Sequence, residues 1–127
     1  MFMTTTRAAL GLKGEQAVVS YLCAQQCTIM TTNFRVHGGE VDIIAKKDNV
    51  LMFVEVKTRN NPLIDPAEVI TTSKQKKIMH AAQFFLITNK LNTDDYTCRF
   101  DVALVSFVHN KADIAYIPDA FQEPNYV

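Results

Sequence analysis

The chain has 127 residues, of which 48% are hydrophobic, 20% charged and 9% aromatic, the proportions of one ordinary globular domain, so disordered, collagen-like and multidomain organisations are not expected. Thirteen basic residues balance thirteen acidic ones, so whole-chain electrostatics favour neither a polyanion nor an anionic membrane, and any binding face must be local. At this length one core suffices without disulfides or structural metal.

Residues 7–25 suit a helix, with Leu12, Val18, Val19, Tyr21 and Leu22 as apolar positions and Gly11 and Gly14 weakening its first turns. On that helix Glu15 precedes Val18, Val19 and Leu22 by three, four and seven residues, which puts a carboxylate on the inward stripe. There it either finds a cation, water network or metal, or lies at the core rim on its aliphatic stem. Residues 28–35 read as a strand ended by His37-Gly38-Gly39, where glycine permits backbone angles or close approaches that other residues resist. Two β-rich runs follow at 41–46 and 50–57, and Asp48-Asn49 between them reads as a hairpin turn.

After Asn61-Pro62 and Asp65-Pro66, which suggest a loop or short helical turn, a helix is expected from an N-cap at Ser73. Its apolar stripe is Ile78, Ala81, Ala82, Phe85 and Leu86. Lys74, Lys76 and Lys77 occupy its first turns, where cations oppose the helix dipole and form an anion-attracting corner. Strands are expected at 98–107 and 112–117 around a turn at His109-Asn110, with an extended tail over 118–127. The chain reads as a single domain with its core at about 7–117.

A hairpin turning at 48–49 pairs residues whose numbers sum to 97, so Asp42 meets Glu55; opposed Cβ atoms in such a pair lie roughly 4.5 to 5.5 Å apart. Lys57, two residues beyond Glu55, points to the same face, while Val54 and Val56 point away. Two adjacent carboxylates repel, more so when partly removed from water. Lys57 can compensate them in a structural ion network, or a divalent cation can. An all-oxygen pocket suits magnesium or manganese better than zinc. A water acidified by such an ion and oriented by Lys57 could attack a phosphodiester.

The other candidates are weaker. Lys57, Arg59, Lys74, Lys76 and Lys77 fall on two short stretches that suit a solvated face or a phosphate-binding one, whereas residues 78–127 carry three basic and six acidic residues and make a poor polyanion surface. Cys23, Cys27 and Cys98 show neither an even disulfide framework nor zinc-ligand spacing. His37 is an ordinary polar loop residue or a base beside the carboxylates, and His80 and His109 have no partner spacing. Asp101 and Arg99 share a strand face and read as a group supporting the site from behind or as a structural pair, not as catalytic. Neither a secretory leader nor an apolar run of membrane-spanning length is visible, so a cytoplasmic location with no membrane partner is expected.

Asp42 followed by Glu55-Val56-Lys57, with Glu15 on a preceding helix, resembles the PD-(D/E)XK pattern of restriction-endonuclease-like nucleases. The wider string is Gly14-Glu15, Asn33-Phe34-Arg35, Gly38-Gly39-Glu40-Val41-Asp42-Ile43-Ile44-Ala45, Phe53 to Arg59, Lys74-Gln75 and Arg99-Phe100-Asp101-Val102. It resembles the small bacterial YraN family, with archaeal Holliday-junction resolvases as more distant relatives. Val41 stands where the pattern's proline would precede Asp42. The resemblance implies an α/β fold with an αβββαβ core and a mixed sheet flanked by helices. It implies Asp42 and Glu55 as magnesium (or manganese) ligands, Lys57 as the group that positions the attacking water, and Glu15 assisting through the metal or its waters. Glu40 and His37 stand as accessory residues, and Arg59, Lys74, Gln75 and Lys77 as phosphate contacts. The implied activity is hydrolysis of DNA, favoured over RNA and branched or damaged in form, by a chain that would suit a two-fold homodimer. The alternative is a noncatalytic nucleic-acid-binding or recruitment module that keeps the fold.

Overall fold

A computed structural model describes residues 6–59 and 70–123. The expected turn around Asn61-Pro62 and Asp65-Pro66, and the last four residues of the tail, lie outside the described residues. Helix α1 (Arg7–Ala24) is capped by Thr6, whose hydroxyl accepts from the Ala9 N–H at 3.1 Å and so satisfies a first-turn donor. It ends where Gln26 turns left-handed and the Cys27 N–H returns to the Leu22 carbonyl. Then come β1 (Thr28–Val36), β2 (Gly39–Lys47), β3 (Val50–Thr58), α2 (Thr72–Thr88), β4 (Thr97–Val108) and β5 (Lys111–Phe121).

The five strands lie in chain order. All neighbours are antiparallel except β3 and β4, which run parallel. A parallel pair needs a crossover, and α2 lies in that connection. The result is the mixed sheet and αβββαβ core of a restriction-endonuclease-like fold, extended by β5 at one edge. Two-residue turns close the three hairpins, and Asp48, His109 and Asn110 adopt the left-handed angles such turns require.

Alternation along the central strands divides the core between the two sheet faces. Leu51 and Phe53 of β3 join Ile78, Ala81, Ala82 and Phe85 of α2 on one face. Met52 and Val54 join Val18 and Leu22 of α1 on the other. The expected stripe of α2 is therefore the one it buries, with Leu86 at its margin.

Three expectations are corrected. Thr71, not Ser73, caps α2, its hydroxyl accepting from the Lys74 N–H at 3.2 Å. Thr71-Thr72-Ser73 offers three hydroxyls of similar capping ability, and the Gln75 side chain steadies the earliest start by donating to the Ile70 carbonyl. Residues 118–121 are not tail but the end of β5. Pro118 is tolerated there because β5 is an edge strand and its pairing is shifted nearby, where Asp119 turns left-handed. Leu12, read among the apolar positions that suit α1, is exposed.

Two glycines bring the helices onto the sheet. A Cβ at Gly39 would lie 2.6 Å from the Lys77 carbonyl oxygen and 2.9 Å from the Ala81 nitrogen, so α2 packs backbone to backbone against the start of β2. A Cβ at Gly14 would run into Thr58, so α1 presses on the end of β3. Gly11, one turn earlier, has nothing within 4 Å of the same added atom. Gly39→Ala is expected to lower stability by about 1–3 kcal/mol through overpacking. Gly11→Ala should raise it by about 0.5–1 kcal/mol through helix propensity. Urea denaturation of the two variants checks the contrast.

Candidate active site

The β2–β3 ladder has the register expected from the sequence, with Ile43 opposite Val54 and Lys47 opposite Val50. Its regular pairing stops at Ile43 and Val54, one residue short of Asp42 and Glu55. There the Asp42 carboxylate takes over the part of a backbone acceptor: Oδ2 receives the Val56 N–H at 2.8 Å. Asp42 is thereby tied to the strand that carries Glu55 and Lys57. Sequence spacing anticipated the meeting of the two strands but not this bond.

Glu55 follows Phe53 on the α2 face and is buried, with 2% of its side chain exposed. Two ammonium groups reach the same oxygen, Oε1: Lys74 Nζ at 2.8 Å from the first turn of α2, and Lys57 Nζ at 3.5 Å from β3 itself. The other oxygen, Oε2, is buried without a hydrogen-bond partner. Lys74 was expected to touch phosphate and instead holds a carboxylate; a contact across 19 positions of sequence leaves no periodic signal.

Asp42, Glu55 and Lys57 line one cleft of about 660 Å³ together with Glu15, Arg7, Thr58, Arg59 and Lys74. Glu15 arrives from α1, placed there by the close packing of Gly14 on Thr58, and its carboxylate accepts from the Asn33 side-chain amide at 3.1 Å. Arg7 lies outside the patterns read from the sequence. Glu40 does not line this cleft; it pairs across the β1–β2 hairpin with Arg35 at 3.5 Å. Val41 packs in the same core cluster as Ile44, three positions on, while Ile43 lies in the other, so the alternation of β2 breaks beside Asp42 and strict parity does not carry Glu40 to the Asp42 side.

His37 sits in the β1–β2 turn, away from the cleft lining, and its carbonyl is within 3.1 Å of His80 Nε2. Lys77 and Gln75 are also absent from the lining, Lys77 lying beside Arg35 and Glu40 and Gln75 bonded to the Ile70 carbonyl. Asp101, fully buried, accepts from Arg99 through both guanidinium contacts at 2.9 Å, from the Tyr116 hydroxyl and from the Asp119 N–H. With every donor internal, it is the second of the two expected readings, a structural pair, clear of the cleft.

Electrostatics follow from this packing. Burial and the neighbouring Glu55 push the Asp42 carboxyl up to about 7, against the Val56 hydrogen bond, which lowers it. Burial and the nearby Lys74 depress the Lys57 ammonium. Burial also works against the Lys74 ammonium, yet its hydrogen bond and attraction to Glu55 leave it raised. A bare oxygen on one carboxylate and a second carboxylate that resists ionisation beside it fit a missing positive charge. No group of three or more His, Cys, Asp or Glu side chains among the described residues is set to share one ion. Two carboxylates are enough for magnesium, which keeps several of its waters.

The family model for the uncharacterised protein family UPF0102 matches residues 14–105, the stretch that holds Glu15, Asp42, Glu55, Lys57 and Lys74. The chain belongs to this family, the YraN family. A UPF0102 protein of Chloroherpeton thalassium is 40% identical over 126 residues, covering 92% of this chain and 96% of the relative. One from Geobacter metallireducens is 39% identical over 94% of this chain and 98% of its own length. One from Clostridium perfringens is 38% identical, covering 90% and 94%. These UPF0102 names state no activity. No helix among the described residues is long and apolar enough to cross a membrane.

The Asp42 carboxyl has a pH consequence. A carboxyl whose folded pKa exceeds its unfolded value binds its proton more tightly in the folded chain, so its contribution is complete below about pH 4 and is lost as pH rises through the folded value. For the metal-free protein, the melting temperature is expected to fall between pH 5 and 8. Asp42→Asn should flatten that dependence. Calorimetric melts of both proteins across this range, with chelator present, measure it.

Proposed function

We propose that this protein is a metal-dependent nuclease that hydrolyses phosphodiester bonds in DNA, with magnesium or manganese as its ion. The observation that carries the proposal is the buried, unpartnered Oε2 of Glu55, next to Asp42 in an open cleft that Lys57, Arg59 and Arg7 share. Asp42 and Glu55 would hold the ion, and Glu15 lines the same cleft as a third carboxylate. When bound, the ion supplies Lewis-acid chemistry, acidifying water and drawing charge from the phosphate.

The chain's own groups account for the rest. Lys57, only 3.5 Å from Glu55 Oε1, lies where an ammonium can orient the attacking water and stabilise the negative oxygens that build on phosphorus. The water oxygen bonds to phosphorus as the bond to the leaving sugar oxygen breaks, and the proton it gives up returns to that leaving oxygen through solvent. Arg7 and Arg59 at the cleft can hold flanking phosphates by bidentate hydrogen bonds. The PD-(D/E)XK resemblance supports DNA over RNA and branched or damaged DNA as the substrate form. A junction substrate would favour a two-fold dimer.

Wild-type protein incubated with linear, flap and four-way DNA should cleave at least one of them with magnesium or manganese and none with chelator. Glu55→Gln and Lys57→Ala should each reduce turnover by roughly 100-fold or more while circular dichroism stays native. Cleavage that survives both substitutions would place the chemistry elsewhere. In a second reading, a noncatalytic nucleic-acid-binding module, Arg7, Lys57 and Arg59 at the cleft serve only as phosphate contacts. Salt-dependent DNA binding without turnover would establish that instead.

A further inference from the structure

We propose that Lys74 is a positioning residue that holds Glu55 by one oxygen, turning the other toward the metal and leaving Lys57 free to act on the phosphate. The inference rests on the metal-dependent reading above and deepens it. Both lysines approach Oε1, but unequally: Lys74 is at 2.8 Å and Lys57 at 3.5 Å. The shorter contact is a charge-assisted hydrogen bond, whereas the longer one lies beyond ordinary hydrogen-bond length. Oε2, with no partner, is the oxygen left for an ion.

Lys74 is also well placed to hold a fixed geometry. Its own N–H is bound by the Thr71 cap at 3.2 Å, and the neighbouring Gln75 side chain is bonded to the Ile70 carbonyl. One turn further on, α2 lies backbone to backbone against Gly39 at the start of β2, the strand that presents Asp42. Cap, helix and strand together set where the Lys74 stem begins relative to Glu55. Lys57 has the opposite requirement, since a lysine clamped to a buried carboxylate could not reach a phosphate oxygen. Supporting groups of this kind typically change metal affinity by 10- to 100-fold when removed.

Manganese titrations by calorimetry on the folded full-length chain test the division of roles. Lys74→Gln is expected to weaken binding about 10- to 100-fold, Lys74→Arg to restore most of the loss, and Lys57→Gln to cost clearly less than Lys74→Gln. A lysine that merely repelled the ion would give tighter binding when removed. Unchanged or tighter binding in Lys74→Gln, or an equal loss in Lys57→Gln, overturns the proposal. Lys74→Met, which keeps most of the stem, replaces Lys74→Gln should thermal melts show that variant unfolded. A wild-type protein that takes up no manganese overturns the metal-dependent reading itself, and the role of Lys74 with it.

Discussion

Glu55 is 2% exposed, and a carboxyl group at such depth is costly unless cations or hydrogen-bond donors lie within reach. Two lysines supply them on one side, from β3 and from α2, and the other side is bare. That asymmetry is what separates the cleft from an internal ion pair. The fully buried Asp101 shows the contrast in the same molecule, since Arg99, Tyr116 and the Asp119 N–H satisfy both of its oxygens. A structural carboxylate has both oxygens satisfied by its own chain, whereas Glu55 keeps one buried oxygen without a partner.

The fold produces the opening through a local failure of sheet pairing. β2 and β3 pair regularly up to Ile43 and Val54 and then part, with the Asp42 side chain bridging the gap to the Val56 N–H. An ordinary ladder would bury its own polar groups and leave no pocket between strands. Here the strands deliver two carboxylates to their diverging ends, α1 brings Glu15 by packing Gly14 on Thr58, and α2 brings Lys74. Side chains from helices on opposite faces of the sheet thus line one cleft at its end.

Much of this was legible in the sequence. The alternation of 50–57 and the turn at Asp48-Asn49 specify the 97 register, because a slip of one residue would move the whole apolar set of β3 to the wrong face. The buried stripe of α2 and the pairing of Arg99 with Asp101 follow from period alone. What was not legible depends on contacts remote in sequence or on local breaks in a pattern. Lys74 meets Glu55 only because α2 folds back across β3, and Glu40 turns to Arg35 where the alternation of β2 breaks between Val41 and Ile44. The cap at Thr71 was hidden among three hydroxyl residues, and Pro118 disguised the end of an edge strand.

The central claim is that the bare side of Glu55 and the Asp42 carboxylate form one seat for a divalent ion. Anomalous diffraction at the manganese edge from soaked crystals addresses it most directly. The account predicts a peak within coordination distance of Glu55 Oε2 and of Asp42, with Lys74 still on Oε1. Manganese bound elsewhere, or a cleft without a peak at millimolar manganese while both carboxylates keep their positions, would contradict it.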